Sequence, residues 1–171
     1  PVTELQLMTD GERQLLLAQW NATRVELAPQ SGLAQSFQAQ VERSPDSIAV
    51  AFADQRLTYR ELNARANQLA HHLRAQGVGP DVLVGLAVAR SADLVVGLLG
   101  ILKAGGAYLP LDPDHPNDRI AYMLAEGRPA ALVTQRRLAD RFVATEVALT
   151  FIDDPALLAT YPAAKDRKST R

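Results

Sequence analysis

The spacing of apolar and polar positions changes character twice along this chain and divides it into three zones. From Gly11 to Trp20 (GERQLLLAQW) the leucines follow a helical spacing. Thr9 or Asp10 is placed to cap the first turn, and Glu12 lies within it, where an acidic side chain meets the positive end of the helix dipole. Asn21–Gly32 (NATRVELAPQSG) has no period and carries Pro29 and Gly32, so it reads as a linker. Residues 31–152 alternate strand-like and helix-like segments, and residues 153–171 lose the pattern in a tail ending KDRKSTR.

Within the middle zone, Leu33–Glu42 reads as a helix capped by Ser31 and stopped before Pro45. Ile48–Phe52 and Arg56–Thr58 flank Ala53-Asp54-Gln55 and predict a short hairpin. Thr58-Tyr59-Arg60-Glu61 has the form of a capping box, and Leu62, Ala66, Leu69, Ala70 and Leu73 then fall on one helical face. Gly77 supplies the left-handed residue that ends such a helix. Val82–Val88 (VLVGLAV) is apolar on both alternating faces, the pattern of a parallel strand covered on both sides.

Ser91 is placed to cap a further helix, with Asp93 early, Lys103 late and Gly105-Gly106 as its stop. Ala107–Leu111 predicts a strand. Pro116 opens a helix that carries Arg119, Ile120, Met123 and Leu124 and ends before Gly127, capped by Asp114 or His115 with Asp118 in its first turn. Ala130–Thr134 and Val147–Ile152 are two more strands, with a helical Gln135–Phe142 between them. Strand–helix–strand units with short turns imply an α/β fold: a partial, doubly wound parallel sheet with flanking helices. No internal repeat or low-complexity tract is present.

Composition narrows the function classes. With 171 residues, 47% hydrophobic and 22% charged, the chain has the make-up of an ordinary soluble domain. Eighteen basic against 19 acidic residues give a formal net charge of −1, so no global field draws it to nucleic acid or an anionic membrane. The absence of cysteine removes disulfides, thiolate metal sites and a catalytic thiol, and it fits a cytoplasmic location. The amino end has no secretory pattern. The uninterrupted apolar run Leu94–Leu102 is half of what a membrane helix needs, roughly 18–20 residues.

The chain carries few signatures of chemistry. There is no G-x-x-x-x-G-K-[ST] phosphate loop and no G-x-S-x-G elbow. Gly77-Val78-Gly79 reads as a helix stop and turn. His71 and His72 are adjacent, about 100° apart on a helix, and read as part of a solvated face. Asp112, Asp114, His115, Asn117 and Asp118 form one polar cluster, but Pro113 and Pro116 break the calcium-loop pattern. The tail residues Lys165, Arg167, Lys168 and Arg171 read as a frayed terminus. No catalytic, cofactor-binding or metal-ligating residue is assigned on chemistry alone.

Two segments carry a resemblance. Leu57-Thr58-Tyr59-Arg60-Glu61-Leu62 (LTYREL) and Leu102–Asp112 (LKAGGAYLPLD) resemble the first and second core motifs of the amino-acid-adenylating domains of nonribosomal peptide synthetases, in the family's order and spacing. Val84–Ser91, Asp112–Leu124 and Ser44–Val50 resemble the segments that flank them. Residues 1–30 resemble the linker after a condensation domain, Leu17–Thr23 (LAQWNAT) most of all. The motif positions are Leu57, Thr58, Tyr59, Glu61, Leu62, Leu102, Lys103, Ala104, Gly105, Ala107, Tyr108, Pro110 and Asp112, and all of them read as structural. Lys103 balances a helix end, Gly105-Gly106 turn the chain into a buried strand, and Pro110 ends that strand's hydrogen bonding at the sheet's carboxyl edge, where open α/β sheets bind ligands.

The resemblance implies a division into linker (1–30), the first part of the large N-terminal subdomain of an adenylate-forming enzyme (31–152), and an irregular tail or truncation (153–171). It implies a parent enzyme that activates an amino acid with MgATP to an aminoacyl adenylate and loads it on the phosphopantetheine of a carrier protein. Its expected partners are the rest of the adenylation domain, an upstream condensation domain and a downstream carrier protein. The family's phosphate loop, ribose aspartate and late lysine have no counterpart here, so the chain by itself is expected to be inactive and to bind no cofactor. A non-catalytic interdomain scaffold and an acyl-CoA ligase relative are the alternatives.

Overall fold

The computed structural model describes residues 8–24, 32–143, 145–154, 156 and 159–164. They belong to two compact units that divide between Ser31 and Gly32. In the first unit, α1 (Asp10–Gln14) starts from a capping box in which Glu12 N–H donates to Thr9 Oγ1 and Thr9 N–H to Glu12 Oε2. It runs on into a π-helical turn, Leu15–Gln19. The rest of the predicted linker, residues 25–31, lies outside the described residues, as do residues 165–171 of the basic tail.

The second unit begins with α2 (Leu33–Arg43), whose capping position is Gly32. The predicted cap, Ser31, lies outside the described residues, and Gly32 has no side chain to offer an orphan N–H. β1 (Ile48–Phe52) and β2 (Gln55–Thr58) pair antiparallel as the hairpin, with Ala53 at φ 49° in the turn. α3 (Tyr59–Ala75) follows directly and is stopped by Gly77 at φ 90°.

Four parallel strands form the main sheet: β3 (Leu83–Ala87), β4 (Ala107–Pro110), β5 (Ala131–Thr134) and β6 (Ala148–Phe151), in the order β4-β3-β5-β6. β3 to β4 is joined through α4 (Ala92–Ala104), and β4 to β5 through α5 (Asn117–Gly127). β5 to β6 passes through a 3₁₀ segment, Arg136–Phe142, where the sequence predicts a helix. Alternate strand residues serve two cores. Val84, Leu86, Ala131 and Val133 pack under α3 and α4 with Leu69, Leu73 and Ile101. Ala87 and Leu132 pack on the other face with Leu111, Ile120 of α5 and Phe142. The sheet is therefore covered on both sides, as its unbroken apolar strands require. Among the described residues no helix is long and apolar enough to cross a membrane.

α3 and α4 approach closely because Gly100 faces Leu69: a Cβ at Gly100 would lie 2.6 Å from Leu69 Cδ2. Three predicted caps are corrected. Ser91 stands at the start of α4, but its hydroxyl donates back to the Ala89 carbonyl at 3.0 Å and caps nothing. Neither Asp114 nor His115 caps α5; its capping position is Pro116. Gly127 is not the stop of α5 either. It lies in the last turn, where a Cβ would come within 2.7 Å of Leu109 Cδ2, and the left-handed residue is Arg128 at φ 43°.

Candidate functional site

The two motif segments, 45 residues apart in sequence, meet around the end of α4. In the first, Leu57 and Leu62 are buried in the core under α3. Thr58 Oγ1 accepts from Glu61 N–H at 3.2 Å, and Glu61 Oε2 accepts from Thr58 N–H at 2.8 Å and from its hydroxyl at 2.9 Å. The Thr58 N–H, and after it the hydroxyl, hold the Glu61 carboxyl below its usual range by stabilising the anion. The Tyr59 ring packs against Phe37 of α2 with centroids 6.0 Å apart.

The second motif forms the last turn of α4, the turn after it and β4. Gly105, at φ 96°, donates to Leu102 O at 3.1 Å, and Gly106 donates to Ile101 O at 3.1 Å. A Cβ at Gly106 would meet Val82 O at 3.0 Å, so the backbone passes where no side chain fits. Ala104 is buried, whereas Ala107, Tyr108 and Pro110 are exposed along the β4 edge. Pro110 does not end the hydrogen bonding as the sequence suggests. Ala107 and Leu111 N–H donate to Val82 and Leu86 carbonyls at 2.9 Å, so Pro110 has the opposite parity and its missing N–H falls on the open side.

Lys103 ties the second motif to α3, the helix that the first motif starts. Its Nζ donates to Asn63 Oδ1 and, at 2.7 Å, to Asn67 Oδ1, both on α3, and lies 5.3 Å from the Phe37 ring centroid. The main-chain carbonyls of Lys103 and Ala104 accept from Arg74. Leu102 lines an apolar groove of about 330 Å³ together with Phe37, Tyr59, Leu62, Val95 and Leu98.

At the carboxyl edge of the sheet, Gln135 follows β5 and bonds to the segment after β3, a role that sequence reasoning did not single out. It is 7% exposed. Its Oε1 accepts from Ala89 N–H at 3.2 Å, and its Nε2 donates to Asp93 Oδ2 at 3.3 Å. The polar loop after β4 is tied down by Arg141, which donates to the carbonyls of Pro113 and His115 and, at 2.7 Å, to Asn117 Oδ1. Asp112 Oδ1 accepts from Asp114 N–H at 2.9 Å, closing a turn.

The two adjacent histidines do not form a solvated face. His72 is buried between Tyr161 Oη and Thr150 Oγ1, each at 3.2 Å, with Gln76 Nε2 at 3.0 Å, and burial pushes its pKa down from the ordinary value. His71 Nε2 lies 2.9 Å from Ala164 O. Asn67 Nδ2 donates to Ala163 O at 2.6 Å and Gln68 Nε2 to Tyr161 O at 3.4 Å, so the polar side of α3 receives residues 161–164. Only the run of Asn67, Gln68, His71 and His72 on one helix hinted at this.

Among the described residues no three His, Asp or Glu side chains are grouped to hold a metal ion. Arg60 pairs with Asp46, Arg136 with Asp154, Arg74 and Arg141 bind main-chain carbonyls, and Lys103 is held by two asparagines.

Comparison with known proteins places this geometry. A family model described as AMP-binding enzyme matches residues 37–170. One of the linear gramicidin synthase polypeptides of Brevibacillus parabrevis is 51% identical over 137 residues, which cover 80% of this chain and 3% of that protein. Tyrocidine synthase 2 from the same organism is 46% identical over 153 residues, covering 90% of this chain and 4% of that protein. Among solved structures, the nonribosomal peptide synthetase FmoA3 in its α-methyl-L-serine-AMP bound form superposes with a TM-score of 0.81 at 33% identity. That match covers 92% of this chain and 18% of FmoA3. The N-terminal subdomain of Klebsiella oxytoca NpsA has the same fold at 20% identity, with a TM-score of 0.67 over 78% of this chain and 34% of its own. The chain thus spans a few per cent of the curated relatives' length.

Proposed function

This chain belongs to the AMP-binding enzyme family, and from that premise we propose that it is part of the adenylation domain of a nonribosomal peptide synthetase. The whole domain would join an amino-acid carboxylate to the α-phosphate of magnesium-bound ATP, releasing pyrophosphate, and pass the aminoacyl group to a carrier protein's phosphopantetheine thiol. The observation that carries this reading is the 33%-identical fold match to FmoA3 in its aminoacyl-adenylate-bound form, over 92% of the chain. An upstream condensation domain and a downstream carrier domain are the partners such an assembly needs, and residues 1–30 would connect to the former.

Within that assembly the 171 residues serve as framework. The motif positions hold helix starts, a tight turn and an inter-helix contact, and Arg60, Arg74, Arg136, Arg141 and Lys103 are engaged with groups of this chain. The charge-stabilising groups that adenylate transfer requires would then come from other parts of the synthetase. The test is amino-acid-dependent exchange of labelled pyrophosphate into ATP. The full synthetase carrying this segment is expected to exchange with one amino acid or a narrow set, and the 171 residues alone to remain at the no-enzyme blank. Thioester formation on free coenzyme A with an organic acid, and no response to amino acids, would favour an acyl-CoA ligase. No adenylation of any acid would favour an interdomain scaffold. Exchange by the 171 residues alone would overturn the framework role.

A further inference from the structure

We propose that Lys103 is a positioning residue that acts through Asn67 to clasp residues 161–164 onto α3. The two groups are coupled by hydrogen-bond chemistry. Asn67 is 3% exposed, and its amide has one acceptor and one donor end inside the fold. Its Oδ1 accepts from Lys103 Nζ at 2.7 Å, and its Nδ2 donates to Ala163 O at 2.6 Å. An ammonium can only donate and a carbonyl can only accept, so these two partners together allow a single orientation of the amide. Lys103 is itself held on three sides, by Asn63, Asn67 and the Phe37 ring. The ammonium therefore polarises the amide whose other end holds the segment, and the contact links α4, α3 and residues 161–164 in one chain of donors. His71 and Gln68 add bonds to Ala164 O and Tyr161 O, but neither touches Lys103 in the described contacts.

The proposal concerns this chain's own packing and stands apart from the adenylation reading. Its test is hydrogen–deuterium exchange of the 171-residue chain, comparing a peptide that covers residues 159–164 with peptides from α3 and α4. Lys103→Met keeps the apolar stem and removes the ammonium. Asn67→Asp keeps an acceptor for Lys103 but loses the donor to Ala163. Each is expected to speed exchange in 159–164 roughly tenfold, as loss of a charge-assisted bond implies, while α3 and α4 keep their protection. Asn67→Ala removes both contacts, and Lys103→Met combined with it is expected to add nothing beyond Asn67→Ala alone. If Lys103→Met fails to fold, Lys103→Gln takes its place, since its amide is one atom shorter and falls out of reach of Asn67. Wild-type exchange in 159–164 for the folded Lys103 variant would overturn the proposal. So would independent, multiplying effects in the double variant.

Discussion

Thr58 and Glu61 close on each other at the start of α3, each side chain accepting the other residue's backbone N–H, at 3.2 Å and 2.8 Å. Two of the orphan donors of a 17-residue helix are thereby satisfied by residues three apart. Thr58→Ala is expected to cost about 0.5–2 kcal/mol in chemical denaturation. Glu61→Gln, which can still accept, should cost less. The Glu61 carboxyl has its pKa lowered from 4.5, so its contribution is complete above that value and is lost as pH falls through the lowered one. Stability of Glu61→Gln should therefore vary less with pH below 4.5 than that of the wild type.

His72 gives a second pH dependence with its own window. Gln76 Nε2, at 3.0 Å, donates to His72 Nε2, which leaves the Nδ1 proton for Tyr161 Oη and favours the neutral ring. Burial lowers the folded pKa below 6.5, so the unfolded chain binds the proton more readily. Stability should fall as the pH is taken below 6.5 and level off once the folded ring is also protonated. Urea midpoints at several pH values should show this slope, and His72→Gln should flatten it. An unchanged slope in that variant would assign the effect to another group.

Gly100 tests the close contact of α3 and α4. A methyl there would meet Leu69 at Cδ2, Cγ and Cβ, at 2.6, 2.8 and 3.0 Å, so a swing of the leucine's far end cannot clear it. Gly100→Ala gains helix propensity, about 1 kcal/mol. Overpacking costs more, about 1–3 kcal/mol. A net loss of stability is the expected outcome, read as a lower melting temperature. Gly100→Ala with Leu69→Ala should recover part of the helix gain while losing the leucine's burial, so the two changes should be clearly non-additive.

The sheet leaves β4 and β6 as its edges among the described residues. β4 carries Pro110 on its open side, which removes an outward donor; β6 has no such device. The 171-residue chain is expected to self-associate in sedimentation, through β6. Ile152 N–H donates to Thr134 O at 2.9 Å, so Phe151 has the outward parity. Phe151→Pro should shift the distribution toward monomer without breaking the β5 ladder. Equal association of both chains would move the contact away from β6.

Features that depend on near neighbours could be read directly. The capping box at Thr58, the stops at Gly77 and Gly105, and the two-faced apolar strand within Val82–Val88 each depend on residues within a few positions, so local sterics and hydrogen bonding suffice to specify them; at α1 the choice between Thr9 and Asp10 stayed open until the structure showed the box at Thr9. The motif residues were equally legible, because their order and spacing survive in a linear string. Where prediction missed, a distant partner had intervened. Gly127 packs against Leu109 of β4, and Pro110 gained its meaning only when β4 became an edge; Ser91 is the exception, turning to Ala89 only two positions back.

The sequence alone therefore determined the alternation of strands and helices, the start and stop of α3, the stop of α4 and the family resemblance, all of which rest on period, caps and spacing. Only the tertiary structure decided the rest. Lys103 meets Asn67 across 36 positions, His72 meets Thr150 across 78, and Asn67 meets Ala163 across 96. Such pairs have no signature along the chain, because the polar groups find one another only after the two apolar cores have drawn the helices onto the sheet. Burial then obliges each donor and acceptor to keep the partner it meets there.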